Sequence, residues 1–269
     1  MKPAAFEYVR PQSLGEAVGL MDQKEGAKVI AGGQSLVPLM NFRLNRPQVL
    51  VDLGGVGGLN AVRWESGKIV TGALVRHQEL VENSLIREHL PVLGRAAREI
   101  GHWAIRNRGT VGGSLAHADP AAELVAALVA LSGTVVAQSA RGTRRIPAEE
   151  FLLGYFTTSL AANEVITAVD WEIPAGRVGF FEVVRRPGDF AVLGAFVGLG
   201  ADPHVTWFGA GGRARRFPLA DWAGSEASRR SRLVELAGQL DLEPHEEYKR
   251  TMAVDVAMRA AKDAEGDDN

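Results

Sequence analysis

Two glycine-rich segments, Ala31-Gly32-Gly33-Gln34-Ser35-Leu36 and Gly109-Thr110-Val111-Gly112-Gly113-Ser114, constrain this chain more than any other feature. Each follows an apolar or mixed stretch and runs into a segment with helical character. Paired glycines carry no Cβ, so backbone N–H groups can approach a ligand closely, and neighbouring hydroxyl or amide side chains add donors. One such loop suits one phosphate. Two of them suggest a pyrophosphate gripped from both sides, and hence a dinucleotide. Neither loop is G-x-G-x-x-G or G-x-x-x-x-G-K-[ST]. With 31 glycines in the chain, tight turns explain a single pair more readily than a ligand does.

The absence of cysteine narrows the chemistry. The chain cannot itself ligate an iron–sulfur cluster through thiolates, use a thiolate nucleophile or form a redox disulfide. Its six histidines, His77, His89, His102, His117, His204 and His245, show no metal-ligand spacing, so no metal site is expected. Redox work would therefore fall to a bound organic cofactor. A net charge of −2 gives no reason to expect nucleic acid or an acidic membrane surface as a partner. The start, Met1-Lys2-Pro3-Ala4-Ala5-Phe6, lacks the apolar core of a signal peptide. The apolar run Leu124 to Leu131 is far shorter than the ~20 residues that span a bilayer. A soluble, cytoplasmic chain is the expectation.

Along the chain, Ser13-Leu14-Gly15-Glu16 reads as a capping box opening a helix through Gln23. Lys28-Val29-Ile30 is a strand that delivers the first glycine loop, and a helix is expected from Leu36 to Leu44. Val49 to Leu53 is a strand, and the run Gly54 to Gly58 marks a boundary. Ala61–Trp64 and Lys68–Thr71 form a hairpin around Ser66-Gly67. Helices are expected over His77–Arg87 and Pro91–Ile100. Asp119-Pro120 reads as an N-cap and N1 proline opening a buried helix from Ala121 to Leu131. A second hairpin, Thr134–Gln138 with Arg144–Ile146, and a strand Val165–Ile173 follow. Beyond Pro174-Ala175-Gly176 come three strands (Phe180–Arg185, Phe190–Leu199, Val205–Phe208) and two helices (Ser228–Leu240, Glu246–Ala264). A frayed tail, Glu265 to Asn269, is expected to end the chain. This pattern is α+β, divided at 1–56, 57–175 and 176–269.

The stretches from Lys28 to Pro38 and from Arg106 to Glu123 resemble the FAD-binding medium subunit of molybdenum hydroxylases, the carbon monoxide dehydrogenase and xanthine dehydrogenase FAD-subunit family. Thr71-Gly72-Ala73-Leu74-Val75-Arg76-His77 and Arg185-Arg186-Pro187-Gly188-Asp189-Phe190-Ala191 fit the same family. The resemblance runs from about Lys2 to Arg216, with the four motifs in order. It implies a vanillyl-alcohol-oxidase-like (PCMH-type) FAD-binding domain of two sub-domains and a small α+β C-terminal domain.

The resemblance also implies site residues. Lys28, Val29, Ile30, Ala31, Gly32, Gly33, Gln34, Ser35 and Leu36 would wrap the FAD pyrophosphate. Thr110, Val111, Gly112, Gly113, Ser114 and Ala118 would approach it from the other side. Glu123, where many relatives have aspartate, would reach the cofactor's ribityl or ribose hydroxyls; a plain helix-dipole partner is the alternative. Asp189 lies in a loop that sits near the isoalloxazine in relatives. Many of these carry a flavin-contacting lysine just before the double arginine, and Glu182 stands there instead. Arg185 and Arg186 are open between a flavin role and a solvated strand end, as His77 and His102 are between pocket lining and structure. No catalytic acid or base is expected. The implied activity is electron transfer beside an iron–sulfur small subunit and a molybdenum large subunit, in a dimer of heterotrimers serving an external acceptor. The 2Fe–2S clusters and molybdenum pterin would belong to those partners. A self-contained flavin oxidase and a cofactor-less scaffold are the alternatives.

Overall fold

The capping box at Ser13 forms: the Ser13 hydroxyl accepts the Glu16 N–H at 3.1 Å, and the Glu16 carboxylate reaches back to the Gln12 N–H at 2.8 Å. The computed structural model describes residues 1–220 and 222–266. In chain order its first elements are β1 (Glu7–Val9), α1 (Leu14–Gln23), β2 (Ala27–Ile30), α2 (Leu36–Asn41) and β3 (Val49–Asp52). The three strands form a parallel sheet in the order β1-β3-β2. Ala17, Val18 and Met21 of α1 pack on Val49 and Val51 of β3.

A second layer follows, with β4 (Val62–Glu65), β5 (Lys68–Gly72), α3 (His77–Glu82), α4 (Ser84–His89), α5 (Pro91–Glu99), α6 (Trp103–Arg106), α7 (Val111–His117) and α8 (Glu123–Ala130). It is completed by β6 (Thr134–Ser139), β7 (Gly142–Pro147), α9 (Ala148–Phe151), β8 (Leu152–Gly154), β9 (Thr157–Thr158) and β10 (Val165–Trp171). Its main sheet is antiparallel, in the order β4-β5-β10-β6-β7. Trp171 on β10 is fully buried, and its indole N–H donates to the buried Thr71 hydroxyl on β5 at 2.9 Å. The polar edge of the largest core side chain is thus satisfied across the sheet.

The C-terminal part comprises β11 (Val178–Val184), β12 (Ala191–Gly198), β13 (His204–Phe208), β14 (Arg215–Pro218), α10 (Glu226–Ala237) and α11 (Tyr248–Glu265). Its four strands pair in sequence order, all antiparallel. One face of this sheet carries Leu193, Ala195, Val197 and Trp207 against α10 and α11. The other face carries Phe180, Phe196 and Phe208, which join the core around α8. All eight residues of α8 are buried for that reason: helices cover one side and this second sheet the other.

Several expectations are corrected. The helix expected over His77–Arg87 is two, because the Asn83 side chain accepts the Leu85 N–H at 3.0 Å and starts α4 anew. The helix expected at Ala121 begins at Glu123; the Asp119 carboxylate accepts the Ala121 N–H at 2.9 Å in a local turn ahead of it. The helix expected to reach Leu44 stops at Asn41, with Arg43 left-handed at φ 59°. The C-terminal sheet has a fourth strand, β14. Glu265 is helical, and residues 267–269 of the expected frayed tail lie outside the described residues. No helix among the described residues is long and apolar enough to cross a membrane.

Candidate cofactor site

Strand β2 ends at Ile30 and releases the first glycine loop beside β3. Gly33 turns the chain into α2 at φ +72°, a conformation that any Cβ makes costly. The loop then presents donors that nothing in the chain uses. The Val37 N–H returns to the Gly33 carbonyl at 3.1 Å, but the N–H groups of Gly33, Gln34, Ser35 and Leu36 have no acceptor among the described residues. The Gln34 side chain folds back to the Gly32 carbonyl at 3.0 Å, which leaves the backbone donors open. Four adjacent unengaged N–H groups are a concentrated source of positive potential, and an anion is their natural partner.

The second loop is built differently. It docks on the chain just past β5: Val111 N–H donates to the Val75 carbonyl at 3.0 Å and Gly112 N–H to the Ala73 carbonyl at 2.9 Å. Thr110 caps α7, its hydroxyl accepting the Gly113 N–H at 3.1 Å, and the Ser114 N–H reaches the Thr110 carbonyl at 3.0 Å. These backbone donors are therefore spent inside the protein. What the second loop can offer a ligand is the partly exposed Ser114 hydroxyl, the Thr110 side chain being only 1 % exposed. The symmetrical picture of two main-chain cradles gives way to one cradle of open amides beside a packed glycine wall.

The two loops touch. A Cβ on Gly32 would overlap the Arg108 carbonyl, and one on Gly113 would stand 3.9 Å from the Ala31 Cβ. The Arg76 guanidinium also donates to the Arg108 carbonyl. His77 pins the arrangement from behind: it is buried, its Nε2 lies 3.0 Å from the Thr110 carbonyl, and its ring fills the space a Gly109 side chain would need. Burial pushes its pKa from 6.5 down to about 4, so it is neutral and Nε2–H is the donor. His77 is thus a structural wedge.

That shift has a pH consequence. The unfolded chain takes up a proton at His77 near pH 6.5 and the folded chain only near pH 4, so stability is whole above 6.5 and falls as the pH drops between those values. The loss at this one residue is on the order of 3 kcal/mol. His77→Gln keeps an N–H but has no ring to protonate, so it should remove that part of the acid sensitivity. Thermal melting as a function of pH measures it.

The remaining expected residues spread away from the loops. Lys28 is exposed on β2, while Val29 and Ile30 are partly buried beneath the loop. Ala118 ends α7 in the left-handed conformation, φ 51°, and its carbonyl accepts the Phe156 N–H at 3.1 Å. His117 packs on the Phe156 ring, centroids 5.1 Å apart. Glu123 starts α8 and is only 4 % exposed. Asp189 is exposed in the turn between β11 and β12, where Gly188 rests against the His102 ring. That turn lines a cleft of about 590 Å³ with Pro120, Tyr155, Phe190 and Tyr248. No wall of the cleft comes from either glycine loop; exposed Arg185 lines it, and Arg186, also exposed, does not.

Glu182 was legible in the sequence only as a departure from relatives. In the fold it projects from β11 on the same face as Phe180, and both carboxylate oxygens are buried without a hydrogen-bond partner. Unengaged amides across from a glycine wall fit a bound anionic group at the loops. Among the described residues, no cluster of His, Cys, Asp or Glu suits a metal ion.

Residues 4–175 match the family model described as the FAD binding domain in molybdopterin dehydrogenase. Over 198 residues the chain is 48 % identical to the 6-hydroxypseudooxynicotine dehydrogenase complex subunit alpha of Paenarthrobacter nicotinovorans, covering 72 % of this chain and 67 % of that one. It is 41 % identical over 236 residues to the nicotine 6-hydroxylase medium subunit of the same organism, covering 85 % and 83 %. A chain of quinoline 2-oxidoreductase from Pseudomonas putida 86 superposes with a TM-score of 0.93 at 32 % identity, over 99 % of both chains. For a chain of carbon monoxide dehydrogenase from Hydrogenophaga pseudoflava the TM-score is 0.90 at 30 % identity, again over 99 % of both.

Proposed function

Since this chain belongs to the family of FAD-binding medium subunits of molybdenum hydroxylases, we propose that it carries electrons from a partner's 2Fe–2S clusters, through its own FAD, to an external acceptor. Its fold is the PCMH-type FAD-binding fold of two sub-domains followed by an α+β domain. The partners in this reading are an iron–sulfur small subunit and a molybdenum-pterin large subunit, assembled as a dimer of heterotrimers in the cytoplasm. The substrate is chosen in the large subunit.

The observation that carries the reading is the row of unengaged amides from Gly33 to Leu36, in a loop that Gly113 approaches at Ala31. Those amides would hold the FAD pyrophosphate, with Ala31 and Gly32 beneath them and Val111 and Gly112 as the packed wall opposite. Ala118, Glu123 and Asp189 would flank the rest of the cofactor. When bound, FAD supplies the ability to take and release electrons one at a time, which no side chain of this cysteine-free sequence has. The chain's own residues bind and orient; none is asked to act as acid, base or nucleophile.

Purification of the complex from its native source, followed by metal and flavin analysis, tests the proposal. Molybdenum, iron and FAD are expected in the complex at the ratio of two 2Fe–2S clusters and one FAD per molybdenum. A lone metal-free chain, or one that turns over an organic substrate by itself, would contradict it.

A further inference from the structure

An arginine without a counter-ion stands where the two glycine loops meet. Arg76 pairs through its backbone with Thr110, in a single antiparallel bridge at the start of the second loop. Its guanidinium donates to the Arg108 carbonyl. That same carbonyl leaves no room for a side chain on Gly32, and Gly32 leads directly into the open amides of Gly33 to Leu36. One hydrogen bond thus ties the guanidinium to the atom on which the cradle's first glycine rests. The rest of its fork of N–H donors has no acceptor among the described residues.

No carboxylate balances this charge. Among the described residues, neither Arg76 nor Arg108 forms an ion pair. The acid that acts on Arg76 is Asp52, at the end of β3, and its carboxylate is already engaged. It accepts the Tyr8 O–H and, at 2.8 Å, the Gly54 N–H, with Arg10 at 3.9 Å. Burial, and then the like charge of Arg108, hold the Arg76 pKa below its ordinary value. Like charges beside a row of unpaired N–H groups repel one another, and a multiply charged anion is their natural complement.

We propose that Arg76 supplies the positive charge that balances the cofactor's diphosphate, and so makes the chain select a phosphate-bearing flavin over the bare one. This rests on the reading that FAD binds at the glycine loops. The amides of the first loop set direction through partial charges; Arg76 adds a full charge that stays on at any physiological pH. Its bond to the Arg108 carbonyl fixes the guanidinium at the seam, so little side-chain freedom is left to lose on binding. Arg76 is a positioning residue and touches no reacting atom.

The test is the affinity of the flavin-free full chain for FAD and, separately, for riboflavin, in the wild type, Arg76→Gln and Arg76→Lys. Each titration is run at about 0.1 M and about 1 M salt, between which the screening length falls from about 10 Å to about 3 Å. Arg76→Gln should bind FAD about 10-fold more weakly or worse, the worth of one charge-assisted hydrogen bond, and riboflavin as the wild type does. Arg76→Lys should recover part of the FAD affinity, since it keeps the charge. The wild type should lose FAD affinity with salt more steeply than Arg76→Gln. An arginine that only props the Arg108 carbonyl would weaken both flavins alike and leave the salt dependence unmoved. That pattern, or identical FAD binding in wild type and Arg76→Gln, would overturn this inference and leave FAD binding standing. If Arg76→Gln fails to fold, the wild type alone decides: FAD affinity indifferent to salt would overturn the inference. A wild-type chain that binds FAD no better than riboflavin would overturn both.

Discussion

Gly33→Val is expected to give a folded chain that purifies without flavin. Gly33 has φ +72°, where an L-residue pays about 1–2 kcal/mol and a β-branched one pays more. The new Cβ would also crowd Val37 Cγ2 at 3.2 Å, with Ile30 Cδ1 in ordinary contact at 3.5 Å. Both neighbours are side chains, so the core beneath can yield. The relief comes from rotating the peptide planes at positions 33–35, which takes the open amides out of line. Affinity for FAD should fall by about 100-fold or more, equivalent to about 2.7 kcal/mol. Gly113→Val should lose flavin too, because its Cβ would press at 2.8 Å on the Thr110 hydroxyl that caps α7 and its branches would reach toward Ala31, whose Cβ lies 3.9 Å away. Flavin absorbance per chain, set beside an unchanged circular-dichroism spectrum, checks both. Full flavin content in either variant would mean that the loop serves another purpose.

Gly32→Val is expected to be more damaging, for a separate reason. Its Cβ would meet main chain: the Arg108 carbonyl, and Gly109 Cα at 2.9 Å. Neither wall can retreat. The second loop is held by the Ala73 and Val75 carbonyls and by the His77 ring, and the first continues directly from β2. Overpacking of this kind costs about 3 kcal/mol, or a fall in Tm on the order of 10 °C for a chain of this size. Flavin should be lost along with stability. Melting at the wild-type temperature would show that the loops do not lean on each other.

The contrast between these two neighbouring glycines measures what the sequence could tell. Local signals were legible because they are closed within a few residues. Ser13 and Glu16 cap α1, and the Ser66-Gly67 turn takes the left-handed pair of angles that a tight hairpin needs. The apolar run of α8 reads as buried, and all of it is. What escaped depends on distant partners. Strand β14, Arg215-Arg216-Phe217-Pro218, has little apolar alternation and gains its order from pairing with β13. The Asp119-Pro120 signature suits a helix start, yet the aspartate is used in a turn two residues earlier.

The site divides in the same way. Both glycine loops stand out in the sequence, but which amides remain open does not. That depends on whether the chain after β5 lies alongside the second loop, a contact between residues 73–75 and 111–112. Glu182 could be seen only as an unexpected acid. The burial of its carboxylate oxygens requires the C-terminal sheet to close over α8, which no local pattern encodes. The sequence leaves His77 open between pocket and core; the fold wedges its ring between Gly109 and the Thr110 carbonyl.

The central claim is that the first loop's free amides hold the diphosphate of a flavin dinucleotide. Titrating the flavin-free chain with FAD and, separately, with riboflavin tests it most directly, since riboflavin has the ring and the ribityl chain but no phosphate. One FAD per chain is expected, with riboflavin bound at least about 100-fold more weakly. Equal affinity for the two, or no uptake of either, would contradict it.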